Sequence, residues 1–444
     1  MLEILNLLEK LGQPHLQLDV ESLSLSERHT FLEQLTYFGP ETLARQRALL
    51  AEPVNNTLSS YSPLAHVETG SLSDQVRGDA LMREGKVGCL ILAGGQGTRL
   101  GYDGPKGIIP ITAVKRKSLF QLLAERVVCA SKTAEHMLPL AIMTSPINHD
   151  QTRSFFEKQG SFGLHPSQLS FFSQGMLPLL DMQGNWLLER PGLLAMGPDG
   201  NGLALHCFYE QGLWDLWRKK GVEYLNVIFV DNPLADPFDS AFVGFTAARD
   251  LDIGMKVVER LSLSEKMGIA VQAKNKIKVI EYSEFSPKIS AEYLFANTGL
   301  FCFRMEFIRE LCQNKQIRLP LHAAHKKASA IPLGSTAAEN ITVCKCETFQ
   351  FDLLDFTEKS AAMQCPRQST YAPVKNAHGE KSPLSAQAAL LARDKQIYSQ
   401  LSGLPAPSFA FELDPAFYYP TDAIKQAMQG RVLPVSDYIT REML

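Results

Sequence analysis

From Val87 to Ala93 the chain runs Val-Gly-Cys-Leu-Ile-Leu-Ala without one charged or amide side chain, as a strand buried on both faces would. Comparable apolar runs recur as "LPLAIMT" at 138–144, "LSFFS" at 169–173 and "IGMKVVE" at 253–259. A longer one, "EYLNVIFVDN" at 223–232, ends in polar residues, and "KIKVIEYSE" at 276–284 follows the turn-forming pair Lys274-Asn275. Segments with helical periodicity separate them, one opening near Asn148. Strand–helix alternation over this length predicts an α/β fold with a mostly parallel sheet. Ligands of such sheets sit beyond the carboxyl ends of the strands. Gly94, Thr144, Gln174 and Asp231 all fall just past predicted strand ends, an arrangement that would let them share one crevice.

The flanks have a different texture. "MLEILNLLEKLGQ", "SLSERHTFLEQLTYF" and "PETLARQRALL" repeat their apolar residues at helical spacing, and a stretch rich in Ser, Asn and Pro follows. The pattern predicts a helical N-terminal arm over 1–84, an α/β core over 85–375 and a small C-terminal module over 376–444.

At 444 residues the chain is longer than one ordinary core needs. A net charge of −3 gives no general attraction to nucleic acid or to an anionic membrane. No apolar run approaches the roughly 18 residues of a membrane span. Glu3, Glu9 and Lys10 punctuate the first apolar stretch, which reads as an amphipathic helix rather than a signal peptide. We therefore expect a cytoplasmic protein whose eight cysteines are reduced thiols. Cys344 and Cys346 form a CxC pair, but "ITVCKCETF" alternates like a strand and no matching Cys/His pair lies nearby, so the structural reading is preferred to a metal site.

The candidate chemistry starts at "LAGGQGTRLGYDGPK", residues 92–106, where Gly94, Gly95, Gly97, Gly101 and Gly104 fall within eleven residues. Such a loop can turn its amides toward an anion, and Arg99 and Lys106 add two positive charges. A dinucleotide fingerprint needs GxGxxG opening a helix, whereas Gly95-x-Gly97-x-x-x-Gly101 is one residue too long and Pro105 with "GIIPI" follows. A mononucleotide P-loop needs GxxxxGK[ST]; Tyr102 follows Gly101 and Gly107 follows Lys106, so no hydroxyl is placed to hold Mg²⁺.

The remaining pattern, GGxGTRLG…PK, resembles the signature of the sugar-nucleotide pyrophosphorylases. From about residue 85 to 380 the chain is similar to the eukaryotic-type UDP-sugar pyrophosphorylases, and most of all to the branch acting on N-acetylglucosamine 1-phosphate. "IMTS" at 142–145, "FFSQGMLP" at 171–178, "GPDGNG" at 197–202, "VDN" at 230–232, "KVVER" at 256–260, "VIEYSE" at 279–284 and "APVKNA" at 372–377 carry the likeness in order. It implies a Rossmann-like nucleotidyltransferase core, with a mixed, mostly parallel sheet, that makes a UDP-sugar and pyrophosphate from UTP and a sugar 1-phosphate.

A phosphate monoester has its second pKa near 6, so the attacking oxygen is already mostly ionised and no general base is needed. The obstacle is repulsion between polyanions, which calls for positioning, cations and Mg²⁺. The resemblance assigns the leaving pyrophosphate to Arg99, the α-phosphate to Lys106 and a third phosphate contact to Lys375. Asp231, at the end of an apolar strand, is the best candidate metal ligand. Gln174 offers an amide edge for uracil, with the backbone of Leu92, Gly94 and Gly95 close to the base. Gly200, with Gly202, would let backbone pass near the ribose or sugar. Asn232, Glu281 (with Glu284 as its substitute) and Asn297 are the candidates for sugar hydroxyls, although Glu281 would serve equally in an internal pair with Lys256 or Arg260.

Two departures leave the sugar open. Leu203 follows Gly202 where the family doubles its glycine, and "NTGLFCF" places Leu300 and Phe301 where an Asn-His pair is usual. Either change would line or fill a pocket for the acetyl group. Glucose 1-phosphate, or a broad sugar range, is the rival. A nucleotide-sugar binder without turnover is disfavoured by the presence of Arg99, Lys106 and Asp231.

Overall fold

The computed structural model describes residues 1–17, 20–51, 61–282, 284, 291–314 and 316–444. Contacts divide the chain into two units, each built from segments far apart in sequence: 56–173 with 204–316 and 354–444, and 1–55 with 174–203 and 317–353. The boundaries expected at 84 and 375 are linear ones, and both fall inside the first of these units.

That unit is organised by one sheet. Its main strands are β1 (Glu68–Thr69), β2 (Val87–Leu92), β3 (Leu140–Thr144), β4 (Leu169–Ser173), β5 (Tyr224–Phe229), β6 (Ile253–Glu259), β7 (Phe295–Arg304) and β8 (Ser360–Gln364). They lie in the order β1-β8-β6-β7-β5-β2-β3-β4. β5, β2, β3 and β4 are mutually parallel, as are β6, β8 and β1. Along this path β7 runs antiparallel to both its neighbours, and strand Ile269–Ala273, off the path, pairs antiparallel with β7, so the sheet is mixed and its main strands mostly parallel, as expected. Every residue of β2 and β3 is buried, which is why they read as unbroken apolar runs. Leu119–Ala134, capped by Ser118, lays Phe120, Leu123, Val127 and Ala130 into the core of this unit. The hairpin Ile269–Ala273 with Lys276–Ile280 turns at Lys274, whose φ is +54°.

β7 escapes a reading by pattern. Its sequence Phe-Ala-Asn-Thr-Gly is neither apolar nor alternating, and Gly299 takes φ +76° with the Phe229 ring where a Cβ would stand. A register shift between Met255 and Val257 accommodates this kink. Leu300 and Phe301 follow within the strand and are 3% and 1% exposed, with Phe301 stacked on Phe303 at 5.8 Å. They are core residues, so of the two outcomes expected of them, lining or filling a pocket, their burial fits the second.

The C-terminal residues form helix Pro383–Ser402, opened by Ser382 in a reciprocal cap and closed by Gly403, and the short parallel pair Glu412–Leu413 and Tyr438–Ile439. Tyr398, Phe411, Phe417, Ile424, Met428 and Ile439 make its apolar cluster. Asp394, on this helix, is buried and accepts a 2.8 Å bond from the Tyr418 hydroxyl. Burial pushes its carboxyl up to about 7, against the opposing pull of Tyr418, the Leu413 amide and Arg126. An ordinary aspartate titrates near 4 when unfolded, so the folded protein binds this proton more tightly. The Asp394 contribution to stability is thus complete below about pH 4 and is lost as pH rises through about 7. Asp394→Asn keeps an acceptor for Tyr418 and removes the charge. Its melting temperature relative to the native protein is expected to climb from pH 5 to pH 8; a pH-independent difference in thermal melts would refute this.

The second unit contains helix Leu2–Lys10 and the segment Leu25–Ala51, which breaks at Gly39 (φ 59°, ψ −177°) just before Pro40. The two helical patterns of the sequence are the two arms of this break, because proline cannot donate to the preceding turn. Ile4, Leu8, Phe31 and Leu35 pack with Leu180, Trp186, Cys344 and Cys346. The CxC lies on strand Glu339–Glu347, paired to His322–Ala330, with both thiols inside this apolar cluster.

Candidate active site

β2 ends at Leu92, and the glycine loop closes on itself immediately beyond. Gly97 N–H donates to Gly104 O at 2.8 Å, Tyr102 N–H to Gly97 O at 3.2 Å and Lys106 N–H to Gly95 O at 3.2 Å. None of these bonds uses the amides of Gly94, Gly95 or Arg99. Arg99 projects from a single turn, Thr98–Leu100, into solvent, and among the described residues it forms no ion pair. Leu92 itself is buried and its carbonyl accepts from Val230 N–H at 3.1 Å.

Lys106 reaches across to the end of β5. Its Nζ lies 3.2 Å from Asp231 Oδ2, with the two side chains 18% and 16% exposed. Asp231 also gathers the distant segment around Lys375, because its carbonyl accepts from Val374 N–H at 2.8 Å. Asn232 completes that clamp. It is 1% exposed; its Nδ2 donates to Thr370 O at 2.8 Å and its Oδ1 accepts from Ala372 N–H at 3.0 Å. Both ends of the amide thus hold backbone, and each keeps one further hydrogen-bonding position beyond these contacts.

Lys375 stands next in line with its side chain in contact with solvent. Crowding by protein pulls its ammonium down, but Asp231 first, then Tyr371 and Glu281, pull it up by more, so the net shift is upward. Glu281 and Asn297 flank Gly268: Glu281 Oε1 would lie 3.1 Å from a Cβ placed there, and Asn297 N–H donates to Gly268 O at 2.9 Å. Asn297 Oδ1 accepts from Gly299 N–H at 2.9 Å. Glu284 follows one turn on, its amide bonded to Glu281 O at 2.9 Å. Lys256, offered as an alternative partner for Glu281, pairs instead with Asp239, while Arg260 Nη1 bonds Tyr293 O at 3.2 Å.

Gln174 and Gly200 belong to the other unit. Gln174 is buried. Gly200 takes φ +90°, and a Cβ there would strike the Thr348 carbonyl. That same carbonyl accepts from Asn201 and Gly202 N–H at 3.1 and 3.0 Å, so the glycines of "PDGNG" are required by close packing of two backbones. Asp199 of the motif is buried beside Gly175, and burial raises its carboxyl to about 6.

Thr144 does not present a free hydroxyl; its Oγ1 donates to Phe172 O at 2.9 Å and lies 2.7 Å from His149 Nδ1. A residue missed by the sequence reading is Asn148. Its Nδ2 donates to Ala93 O at 3.1 Å and to Gly95 O at 3.4 Å, pinning the start of the glycine loop. Its position at a helix opening concealed this, since a capping asparagine looks the same; here the side chain makes no cap bond.

The donor set also bears on the metal. Among the described residues no group of three or more His, Cys, Asp or Glu is arranged to hold one. Asp231 supplies a single carboxylate close to a lysine. That suits Mg²⁺, which commonly takes one or two carboxylates and completes its shell with phosphate oxygens and water.

A family model described as UTP–glucose-1-phosphate uridylyltransferase matches residues 48–406. The chain is 30% identical over 377 residues to UDP-N-acetylglucosamine diphosphorylase 2 of Arabidopsis thaliana, covering 78% of this chain and 74% of that one. It is 31% identical over 477 residues to UDP-N-acetylhexosamine pyrophosphorylase-like protein 1 of Homo sapiens, covering 96% and 94%. Its fold is similar to the uridine diphosphate N-acetylglucosamine pyrophosphorylase of Trypanosoma brucei, with a TM-score of 0.81, 23% identity and coverage of 98% and 97%. No helix among the described residues is long and apolar enough to cross a membrane.

Proposed function

The chain belongs to the UDPGP family of UTP–glucose-1-phosphate uridylyltransferases, and from that premise we propose that it makes UDP-N-acetylglucosamine and pyrophosphate from UTP and N-acetylglucosamine 1-phosphate. As a UDP-sugar pyrophosphorylase it joins UTP to a sugar 1-phosphate. The observation that carries the site is the cluster of Lys106, Asp231 and Lys375 at the carboxyl end of β5, beside the glycine loop. Three chain segments more than a hundred residues apart converge there on opposite charges, with no nucleophile–base pair among them.

The sugar phosphate oxygen attacks the α-phosphorus of UTP in line, and pyrophosphate departs. Lys106, paired with Asp231, passes to the α-phosphate as charge builds, and Lys375, whose ammonium Asp231 further favours, adds a second cation. Arg99, solvent-facing and unpaired among the described residues, is available to the leaving pyrophosphate. Mg²⁺, held by Asp231 and the phosphates, would supply charge neutralisation. Gln174 is assigned to the uracil edge and Gly200 to the ribose, and the backbone at Leu92, Gly94 and Gly95 is assigned to the base. Glu281 and Asn297 contact the sugar.

The names borne by the relatives favour the acetylated sugar. The second reading, glucose 1-phosphate, is favoured by the family description. A panel of sugar 1-phosphates with UTP and Mg²⁺, followed by pyrophosphate release, separates them. N-acetylglucosamine 1-phosphate is expected to show a kcat/KM about 10- to 200-fold above glucose 1-phosphate, the range one small apolar group can supply. A higher value for glucose 1-phosphate would overturn the sugar assignment and leave uridylyl transfer standing. Phe301→Ala, in contrast, is expected to destabilise the sheet without changing that ratio, because Phe301 is a core residue.

A further inference from the structure

We propose that Arg126 is a positioning residue for the reacting end of the site, acting through the turn that follows Asp231; this rests on the reading of Asp231 and Lys106 given above. Arg126 lies on helix Leu119–Ala134 and is 1% exposed. Its Nη1 donates to two carbonyls of one turn, Pro233 O at 2.6 Å and Ala235 O at 3.1 Å. Its guanidinium carbon stands 4.3 Å from the centre of the Tyr418 ring. Nε and Nη2 have no hydrogen-bond partner among the described residues, and no carboxylate forms an ion pair with it there.

Asp394 acts on this cation only from beyond ion-pair distance, so the cation is an expensive way to fill space, and an apolar side chain would do so at less cost. What arginine supplies here, and leucine or methionine would not, is a fixed donor that draws two carbonyls together. The turn it holds is short and already strung by Asn232 N–H to Phe229 O at 3.2 Å and Ala235 N–H to Asn232 O at 3.0 Å. Proline at 233 has no amide with which to stiffen its own end. Further on, the Tyr419 hydroxyl binds the Asp236 carboxylate, and Asn226 Nδ2 donates to the carbonyls of Asp236 and Pro237 at 3.0 and 2.9 Å. Residues 232–237 are therefore tied down by side chains from a helix, a strand and the C-terminal segment.

The consequence runs back along the chain. Asn232 and Asp231, directly before the braced turn, hold Thr370, Ala372 and Val374 and so place Lys375; Asp231 faces Lys106. Movement at Pro233 and Ala235 displaces all three charged groups together. A displacement of about 1 Å at such a point can cost on the order of a hundredfold in rate without loss of binding.

The test is Arg126→Lys, which keeps a cation in the cavity and loses the planar fork. Its kcat is expected to fall about tenfold or more, with the KM of UTP and of the sugar 1-phosphate within about threefold of native. Hydrogen exchange of the free protein is expected to quicken in peptides spanning 231–235 and 370–375, with 87–92 and 140–144 unchanged. Native kcat with native exchange overturns the proposal, and so does exchange that quickens throughout the sheet, which marks a merely structural role. If Arg126→Lys fails to fold, Tyr418→Leu withdraws the ring beneath the guanidinium and leaves the cation in place. The same pattern at smaller size is then expected, and native behaviour overturns the proposal. Asp231→Asn is assayed in parallel. Lost activity in Asp231→Asn with none lost in Arg126→Lys overturns this inference alone; quickened exchange with kcat intact in both variants overturns the reading of Asp231 beneath it.

Discussion

Lys106→Ala is expected to lower kcat by roughly a hundredfold or more while the KM for UTP changes by less than about fivefold. One preorganised charge acting on a developing oxyanion is worth about 3 kcal/mol in a site shielded from water, and 1.36 kcal/mol is a factor of ten. Lys106 is four-fifths buried and starts a tight turn, Lys106–Ile108, whose next residue, Gly107, admits the Phe120 ring where a Cβ would stand. The lysine is thus delivered from a packed position, and little freedom is left to lose in the transition state. Steady-state kinetics in the direction of UDP-sugar synthesis check this. Near-native turnover would make Lys106 no more than the ion-pair partner of Asp231.

Asp231→Asn is expected to remove about two orders of magnitude of activity and to raise the Mg²⁺ concentration needed for half-maximal rate, with partial rescue at high Mg²⁺. The fold should persist, because the contact to Val374 uses the Asp231 carbonyl and survives the substitution. The pairing with Lys106 complicates the simple expectation, since asparagine also frees the lysine and removes the main charge that raises Lys375. A double-mutant cycle resolves this. If Asp231 serves only to orient Lys106, the double variant is no slower than Lys106→Ala alone. If it holds the metal, the two losses come closer to multiplying. A Mg²⁺ dependence identical to native would remove Asp231 from the metal.

The strands β2 and β3 were readable because burial on both faces leaves no polar residue to blur the pattern. β7 was not, since Asn297, Thr298 and Gly299 interrupt it for reasons that lie in neighbouring strands: Thr298 Oγ1 donates to Lys256 O at 2.7 Å and Gly299 makes room for Phe229. In the site, the residue types and the glycine loop were visible, but their mutual arrangement was not. Lys106 and Asp231 are 125 residues apart, and no spacing rule spans such a distance. Asn232 shows a different limit. An amide suits a sugar hydroxyl and a backbone pair equally, and the backbone pair it makes here could not be read from its residue type. The same ambiguity covers Gly200, whose turn reads alike whether it faces a ligand or the Thr348 backbone.

The assembly of one unit from 1–55, 174–203 and 317–353 sets an order on biosynthesis. The helices carrying Ile4, Leu8, Phe31 and Leu35 leave the ribosome before Cys344 and Cys346, with which they pack and which come some three hundred residues later. At about 5–20 residues per second that interval is roughly 15–60 s, far longer than the microseconds a helix needs to form. Leu180 and Trp186 emerge about midway, so until the last segment follows, the apolar face of the N-terminal helices is covered only in part. Nascent chains halted before residue 317 should therefore hold that segment open to proteolysis or to chaperone capture, and chains completed past 353 should close it.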